Sequence, residues 1–283
     1  MRLSTGIFLI LLNYETMNNK IDGPLLSDMV TDEQILSEDK IVDGRIYHYS
    51  IAQNTEEWDE IRKGKITASP AKCLLVSAEL KSGKASAGSV GRLAKGAVSY
   101  AEKIAKQRYS PNAGSNDFKF YSQDMERGHE TEAAANQLFQ EITGIETVQV
   151  GFLSRKLNEV DRLIGCSPDR IILDEETGII SSGLEMKSAN SDIQFARLRN
   201  PTLLIDEHMA QVQFQMFISG ANSWYLTSYN ESFDDQKDRL IICKILRNNA
   251  MIEQFHNQVI EMESYINDVL FDLKHLADIE SVW

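Results

Sequence analysis

The spacing of hydrophobic residues alternates along the chain between a helical period and a strand period. Helical spacing predicts helices at residues 118–140, 208–219 and 250–276. Short apolar runs bounded by turn residues predict strands at residues 148–152, 163–166, 170–173, 183–188, 224–229 and 240–246. This order of helix, strand meander, crossover helix and further strands predicts an α/β fold, in which a mixed central sheet is flanked by helices.

The part of the chain before residue 118 has fewer strand signals. An alternating segment predicts a strand at residues 45–51, and helices are expected at residues 55–63, from residue 71 onwards, and at residues 89–107. Residues 1–44 are interpreted as an N-terminal extension, which is polar and acidic after an apolar start. No Gly-rich or Pro-rich linker follows it, so residues 45–283 are expected to form a single domain.

The apolar run in the extension covers only residues 7–12. A secretory core usually has about 7 to 15 apolar residues, and a membrane span needs about 20. Export and membrane association are therefore not expected.

The formal net charge of −13 argues against a protein that binds nucleic acid through its whole surface, because that affinity comes largely from Lys and Arg. The charge is unevenly distributed, however. Between Asp59 and Tyr109 the chain has eleven Lys or Arg and only four Asp or Glu. This stretch is either a local basic face for DNA or the solvated side of helices, and charge alone does not decide between them.

The three cysteines are too few and too widely separated for a disulfide framework or for the four thiolates of an iron–sulfur cluster. They are interpreted as packing residues. A reducing compartment is expected, which is the cytoplasm, or the host cytoplasm if a phage encodes the protein.

An acidic residue, a spacer and a lysine occur at Glu185-Met186-Lys187, within a predicted strand. Side chains two residues apart lie on the same face of a strand, so this carboxylate and this ammonium group can share one site. The spacing alone is weak evidence, because it starts at five other positions: Glu38, Glu79, Asp117, Asp235 and Asp272.

The context of Glu185 sets it apart from those other positions. The preceding strand opens with Ser167-Pro168-Asp169, and the pairing of adjacent strands would bring Asp169 beside Glu185. Two neighbouring carboxylates repel each other unless a cation joins them, and hard oxygen ligands favour Mg²⁺ or Mn²⁺. Lys187 would then orient or deprotonate the attacking water.

Two further features point to the same chemistry. The helix at residues 118–140 supplies a third acid, either Glu130 or Glu132, and its apolar pattern does not choose between them. The turn after Gly64 places the hydroxyls of Thr67 and Ser69 near Arg62 and Lys65, a cluster suited to an anion.

These motifs, taken in order, resemble the PD-(D/E)XK nucleases, and more closely the lambda exonuclease or YqaJ-type viral recombinase family. The resemblance covers most of the chain. It is carried by Trp58-x-x-x-Arg62-x-Gly64-x-Ile66-Thr67-Ala68-Ser69, Gly128-x-x-x-Glu132-x-x-Ala135, Cys166-Ser167-Pro168-Asp169, Leu184-Glu185-Met186-Lys187, Ala210-Gln211-Val212-Gln213 and Trp224-Tyr225.

The resemblance implies a restriction-endonuclease-like fold and assigns roles to residues. It selects Glu132 as the acid of the helix and makes Glu132, Asp169, Glu185 and Lys187 the catalytic set. The implied ligands of Mg²⁺ or Mn²⁺ are Glu132, Asp169, Glu185 and the backbone carbonyl of Met186. The implied contacts of a DNA 5′-phosphate are Arg62, Ser69, Ser167 and Gln211, and the loop Lys81–Lys84 is the implied downstream DNA contact.

The implied activity is a 5′ to 3′ exonuclease that acts on linear double-stranded DNA ends and leaves single-stranded tails. The implied partners are those DNA ends and a single-strand annealing recombinase protein, and the implied assembly is a homotrimeric ring around DNA. Two alternatives remain: an endonuclease of the same fold, and a non-catalytic DNA-binding scaffold built on it.

Overall fold

The computed structural model describes residues 39–75, 92–112 and 123–280, and their strands form two four-stranded sheets. The first sheet is antiparallel, and its strands in order are β1 (Lys40–Val42), β2 (Arg45–His48), β3 (Phe152–Arg155) and β4 (Ile164–Cys166). The second is mixed, because β6 and β7 are parallel, and its strands in order are β5 (Arg170–Leu173), β6 (Ile180–Ser188), β7 (Ser223–Tyr229) and β8 (Leu240–Leu246).

The strands after residue 148 occur in the predicted order, but they divide between the two sheets. The break falls between β4 and β5, at Ser167-Pro168-Asp169. Apolar periodicity identifies strands without saying which ones pair, so it did not predict this break. A further difference is β1, which lies within the range interpreted as the extension and pairs with β2. Residues 1–38 and the loop Lys81–Lys84 lie outside the described part of the chain.

Five of the six predicted helices are α-helices in the structure, and the described residues form seven α-helices in all. The first is α1 (Glu56–Arg62), capped by Thr55, whose Oγ1 accepts the Trp58 N–H. Residues expected to start a helix at 71 form a 3-10 turn (Ala71–Leu75). The remaining helices are α2 (Lys95–Tyr109), α3 (Gln123–Thr143), α4 (Ser191–Arg199), α5 (Thr202–Ser219), α6 (Gln236–Arg239) and α7 (Asn249–Glu280).

The mixed sheet is covered by helices on both faces. On one face, α3 packs against β6 and β8. Its Phe139 also meets Tyr225 of β7 edge to face. On the other face, α5 packs against β6 and β7, and it also contacts the antiparallel sheet and α7. Most of α5 is therefore buried, including the polar residues Gln213, Gln215 and Ser219. None of the helices in the described ranges is long and apolar enough to cross a membrane.

The C-terminal end of α5 is held by three arginines from outside the helix. Arg45 Nε donates to Ile218 O at 3.0 Å, Arg155 donates to Phe217 O, and Arg247 donates to Met216 O at 2.5 Å. Carbonyls at a helix C-terminus lack partners within the helix and carry partial negative charge, so three cations stabilise this end. The helix is thereby fixed against both the antiparallel sheet and the start of α7.

A buried ion pair holds the turn that follows α1. Arg108 on α2 makes two hydrogen bonds of 2.6 Å with Glu263 on α7, and its Nε donates to Gly64 O at 2.7 Å. Both side chains are almost inaccessible to solvent. The pair therefore fixes the position of the turn that carries Lys65 and Thr67.

Replacing Glu263 with Gln should strongly destabilise the protein, because it leaves the Arg108 charge buried without a counter-charge. The expected loss is about 3–5 kcal/mol in the free energy of unfolding, measured by chemical denaturation. Glu261→Gln is the matched control, since Glu261 is partly exposed and lies 4.0 Å from Arg92. Its expected effect is below about 1 kcal/mol, and equal losses in the two variants would contradict this role of the pair.

Candidate active site

The carboxylate of Glu185 is buried in the interface between β6 and α5. Leu184 and Met186 point to the α3 side of the sheet, so the two-residue period of the strand turns Glu185 and Lys187 toward α5. Glu185 is only 3% exposed. Its Oε1 accepts from Lys187 Nζ at 2.5 Å and from Gln211 Nε2 at 2.7 Å.

Gln215, one turn further along α5, donates to the other oxygen of the same carboxylate. Its Nε2 lies 2.6 Å from Glu185 Oε2, and the side chain is fully buried. This residue was not predicted from the sequence. The signal was present, because Gln215 follows Gln211 by four positions and therefore lies on the same face of the helix.

Asp169 lies beside Glu185, as the pairing of adjacent strands predicted. β5 pairs with β6 in a register that places Arg170 opposite Leu184, and Asp169 Oδ2 accepts the Met186 N–H at 2.5 Å. The turn that carries Asp169 is held by Gln53, whose Nε2 donates to Pro168 O at 2.8 Å. Burial raises the pKa of Asp169 well above its usual value, and repulsion from Glu185 and Glu132 raises it further.

Lys187 is a cation in this arrangement. Burial by itself lowers the pKa of its ammonium group, but the carboxylates of Glu185 and Asp169 outweigh burial, and the pKa is raised above its usual value. The two roles considered from the sequence, orienting the attacking water and removing its proton, both remain predictions.

Glu132 approaches the carboxylate pair from the α3 side. The neighbouring Thr131 hydroxyl is hydrogen-bonded to the Ser188 hydroxyl at the end of β6, which ties this turn of α3 to the site. Glu132 is partly buried, and its charge contributes to the raised pKa of Asp169. The side chain of Glu130 lies outside the described part of the structure, so the choice between the two acids remains a prediction.

The oxygen donors suit a hard divalent cation, although they do not form a complete cage. Asp169 and Glu185 bring two carboxylates together, and oxygen ligands of this kind bind Mg²⁺ or Mn²⁺. Among the described residues, no three His, Cys, Asp or Glu side chains are grouped closely enough to hold a metal ion. A metal would therefore be held by the Asp169–Glu185 pair, with Glu132 and the Met186 carbonyl remaining predicted ligands.

Two of the four predicted phosphate contacts are linked through Trp58. The guanidinium of Arg62 lies 3.8 Å from the centre of the Trp58 ring, and Trp58 Nε1 donates to Ser167 Oγ at 2.9 Å. Burial lowers the pKa of Arg62. Ser69 is exposed on the neighbouring turn, whereas Gln211 contacts Glu185 and Lys187 instead.

A second polar network lies behind Lys187, on α4, a helix that was not predicted from the sequence. Arg197 is buried, and it donates to Ser228 Oγ and to Glu207 Oε2, each at 2.9 Å. Ser228 is the cross-strand neighbour of Lys187. Next to Glu207, burial and the Lys187 charge lower the pKa of His208 to about 4, so this imidazole is neutral near pH 7.

Two solved structures share this fold at low sequence identity. An alkaline exonuclease (LHK-Exo) from Laribacter hongkongensis is 22% identical, with a TM-score of 0.62 over 79% of this chain and 98% of that one. A phage-related exonuclease from Haemophilus somnus 129PT is 13% identical, with a TM-score of 0.54 over 76% of this chain and 99% of that one. These likenesses confirm the predicted PD-(D/E)XK-like fold.

Comparison by sequence gives a more specific result. No curated protein matches the chain. The model of the YqaJ-like viral recombinase domain matches residues 57–222, more than half of the chain, and this range includes Arg62, Asp169, Glu185, Lys187 and Gln211. The chain therefore belongs to the YqaJ-like viral recombinase domain family, as the ordered motifs predicted.

Proposed function

We propose that the protein is a metal-dependent exonuclease that degrades one strand of linear double-stranded DNA from its 5′ end. One observation carries this proposal: the side chains of Asp169, Glu185 and Lys187 lie together in one partly buried site. Membership of the viral recombinase family supports it. The similar Laribacter enzyme is an alkaline exonuclease, and one of its structures is a complex with dAMP.

Each residue of the site has a definite task in this reaction. The carboxylates of Asp169 and Glu185 would hold Mg²⁺ or Mn²⁺, and such an ion would activate water and stabilise charge on the phosphate. The Lys187 ammonium orients that water and balances negative charge. Gln211 donates to Glu185 and is within 3.2 Å of Lys187, so it fixes the two side chains relative to each other.

The position of three predicted phosphate contacts, Arg62, Ser69 and Ser167, favours cutting at a DNA end. Ser167 and Asp169 are two residues apart on the same turn, and Trp58 links Ser167 to Arg62, so a phosphate pocket formed by Ser167 and Arg62 would adjoin the carboxylate pair. A terminal phosphate bound by Arg62, Ser167 and the nearby Ser69 would place the first phosphodiester close to the metal. A guanidinium is well suited to this contact because its planar donors match phosphate oxygens.

The proposal extends to an assembly and to partners. A homotrimeric ring would thread double-stranded DNA through a channel lined by the basic stretch, while the acidic remainder of each chain would face outward. The single-stranded tail would pass to an annealing recombinase protein in the cytoplasm, which is the host cytoplasm if a phage encodes the protein. The resemblance of the ordered motifs to the lambda exonuclease family implies these steps.

An endonuclease of the same fold is the main alternative, and the form of the DNA distinguishes the two. We expect a linearised plasmid to be degraded in Mg²⁺ and a covalently closed circle of the same sequence to remain intact. The products are followed on an agarose gel with time. Conversion of the closed circle to a linear form would favour the endonuclease.

Lys187→Ala should lower kcat at least about 100-fold, because it removes a charged group beside the reacting phosphate. The assay follows release of labelled nucleotide from a linear duplex in Mg²⁺. Lys274→Ala, which removes an exposed lysine on α7, is the control and should cut at the rate of the unmodified protein. Digestion that continues in EDTA, or that tolerates Lys187→Ala, would rule out this mechanism.

Arg62→Ala should selectively impair duplexes that carry a 5′-phosphate. Loss of a charge-assisted contact worth about 1.5–3 kcal/mol corresponds to a roughly 10- to 100-fold lower kcat/KM. Duplexes with 5′-hydroxyl ends should be affected much less. Lys63→Ala is the control, because that neighbouring lysine pairs with the exposed Glu60; an equal loss on both kinds of end would argue against the pocket.

A further inference from the structure

The three donors to Glu185 are unequally divided between its two oxygens. Oε1 accepts two hydrogen bonds, from Lys187 and Gln211, whereas Oε2 accepts one, from Gln215, among the residues that the structure describes. A carboxylate offers about four lone-pair sites, two on each oxygen. With respect to the described residues, Oε2 therefore retains one lone pair that can bind another group.

Packing alone does not explain a glutamine at position 215. Its side chain is fully buried, and its neighbours along α5, Phe214 and Met216, are buried as well. Its amide oxygen is also buried and has no hydrogen-bond partner within the described chain. Because an unpaired buried acceptor is destabilising, an apolar side chain of similar size would suit this position better. The contact that accounts for the glutamine is the 2.6 Å hydrogen bond to Glu185 Oε2.

The same hydrogen bond limits how the carboxylate can turn. Lys187 and Gln211 hold one oxygen from the open side of the site, and Gln215 holds the other from deeper along α5. With both oxygens held, the plane of the carboxylate is fixed. The free lone pair of Oε2 consequently has a fixed direction.

We propose that Gln215 is a positioning residue that aims the free lone pair of Glu185 Oε2 at a divalent cation shared with Asp169. This inference rests on the metal site of the proposed function. Gln215 itself does not touch the cation and acts through Glu185. Removing a group that orients a metal ligand typically weakens metal affinity by about 10- to 100-fold.

The test is Mn²⁺ binding to the DNA-free protein, measured by isothermal titration calorimetry. Gln215→Met keeps the side-chain volume and removes the donor, and it should raise the Mn²⁺ Kd by about 10- to 100-fold. Gln215→Leu is a second apolar variant and should give the same shift. Thermal unfolding without metal verifies that each variant is folded.

Gln213→Met is the matched control. Gln213 is also buried on α5, but it donates to Leu246 O at 2.8 Å and accepts the Asn248 N–H at 2.9 Å, away from the carboxylates. This variant should lower Tm and leave the Mn²⁺ Kd unchanged. If Gln215 had only a structural role, Gln215→Met would likewise lower Tm and leave the Mn²⁺ Kd unchanged.

The outcomes separate this inference from the proposed function. An unchanged Mn²⁺ Kd in folded Gln215→Met, or an equal change in Gln213→Met, would overturn the role of Gln215, as would the absence of Mn²⁺ binding by the unmodified protein. A protein that binds Mn²⁺ through Gln215 but does not cut DNA would support the inference while the exonuclease proposal fails.

Discussion

The buried carboxylate of Glu185 is the constraint that organises this structure. An ionised carboxylate is strongly disfavoured in a protein interior unless donors replace the water it has lost. Here the donors are Lys187 from the same strand and Gln211 and Gln215 from α5. The strand and the helix must therefore pack at one particular rotation and height, since a shift of one residue along either would leave the carboxylate unsatisfied.

Contacts near both ends of α5 hold the helix in this position. Arg45, Arg155 and Arg247 hold its C-terminal carbonyls, and Gly220 ends it in the left-handed conformation at φ +80°, next to the Arg45 guanidinium. Near its other end, Glu207 is bound to Arg197 on α4. A helix fixed in this way delivers its glutamines to β6 with little freedom, so the site is organised before any ligand binds.

The turn between β4 and β5 carries both a predicted phosphate contact and a predicted metal ligand. The turn between β4 and β5 leaves one sheet and enters the other, and it carries Ser167 on one side and Asp169 on the other. Trp58 connects Ser167 to Arg62, while the Met186 N–H connects Asp169 to β6. In the proposed function, a contact of the terminal phosphate and a ligand of the metal would thus lie on one short segment, which would suit an enzyme that works from an end.

The sequence by itself determined the order of most elements, the α/β class, the family, and the pairing of Asp169 with Glu185 and Lys187. These features follow from ordered motifs, from apolar periodicity and from the adjacency of β5 and β6, all of which are local. The tertiary structure alone decided the division into two sheets, the helix α4 and the hydrogen bond of Gln215 to Glu185. Almost every side of the C-terminal half of α5 is buried. The spacing of Gln211 and Gln215 places them on one face of the helix, but it does not show that this face meets β6. Gln215 meets Glu185 only because packing places its amide 2.6 Å from a carboxylate 30 positions earlier in the chain.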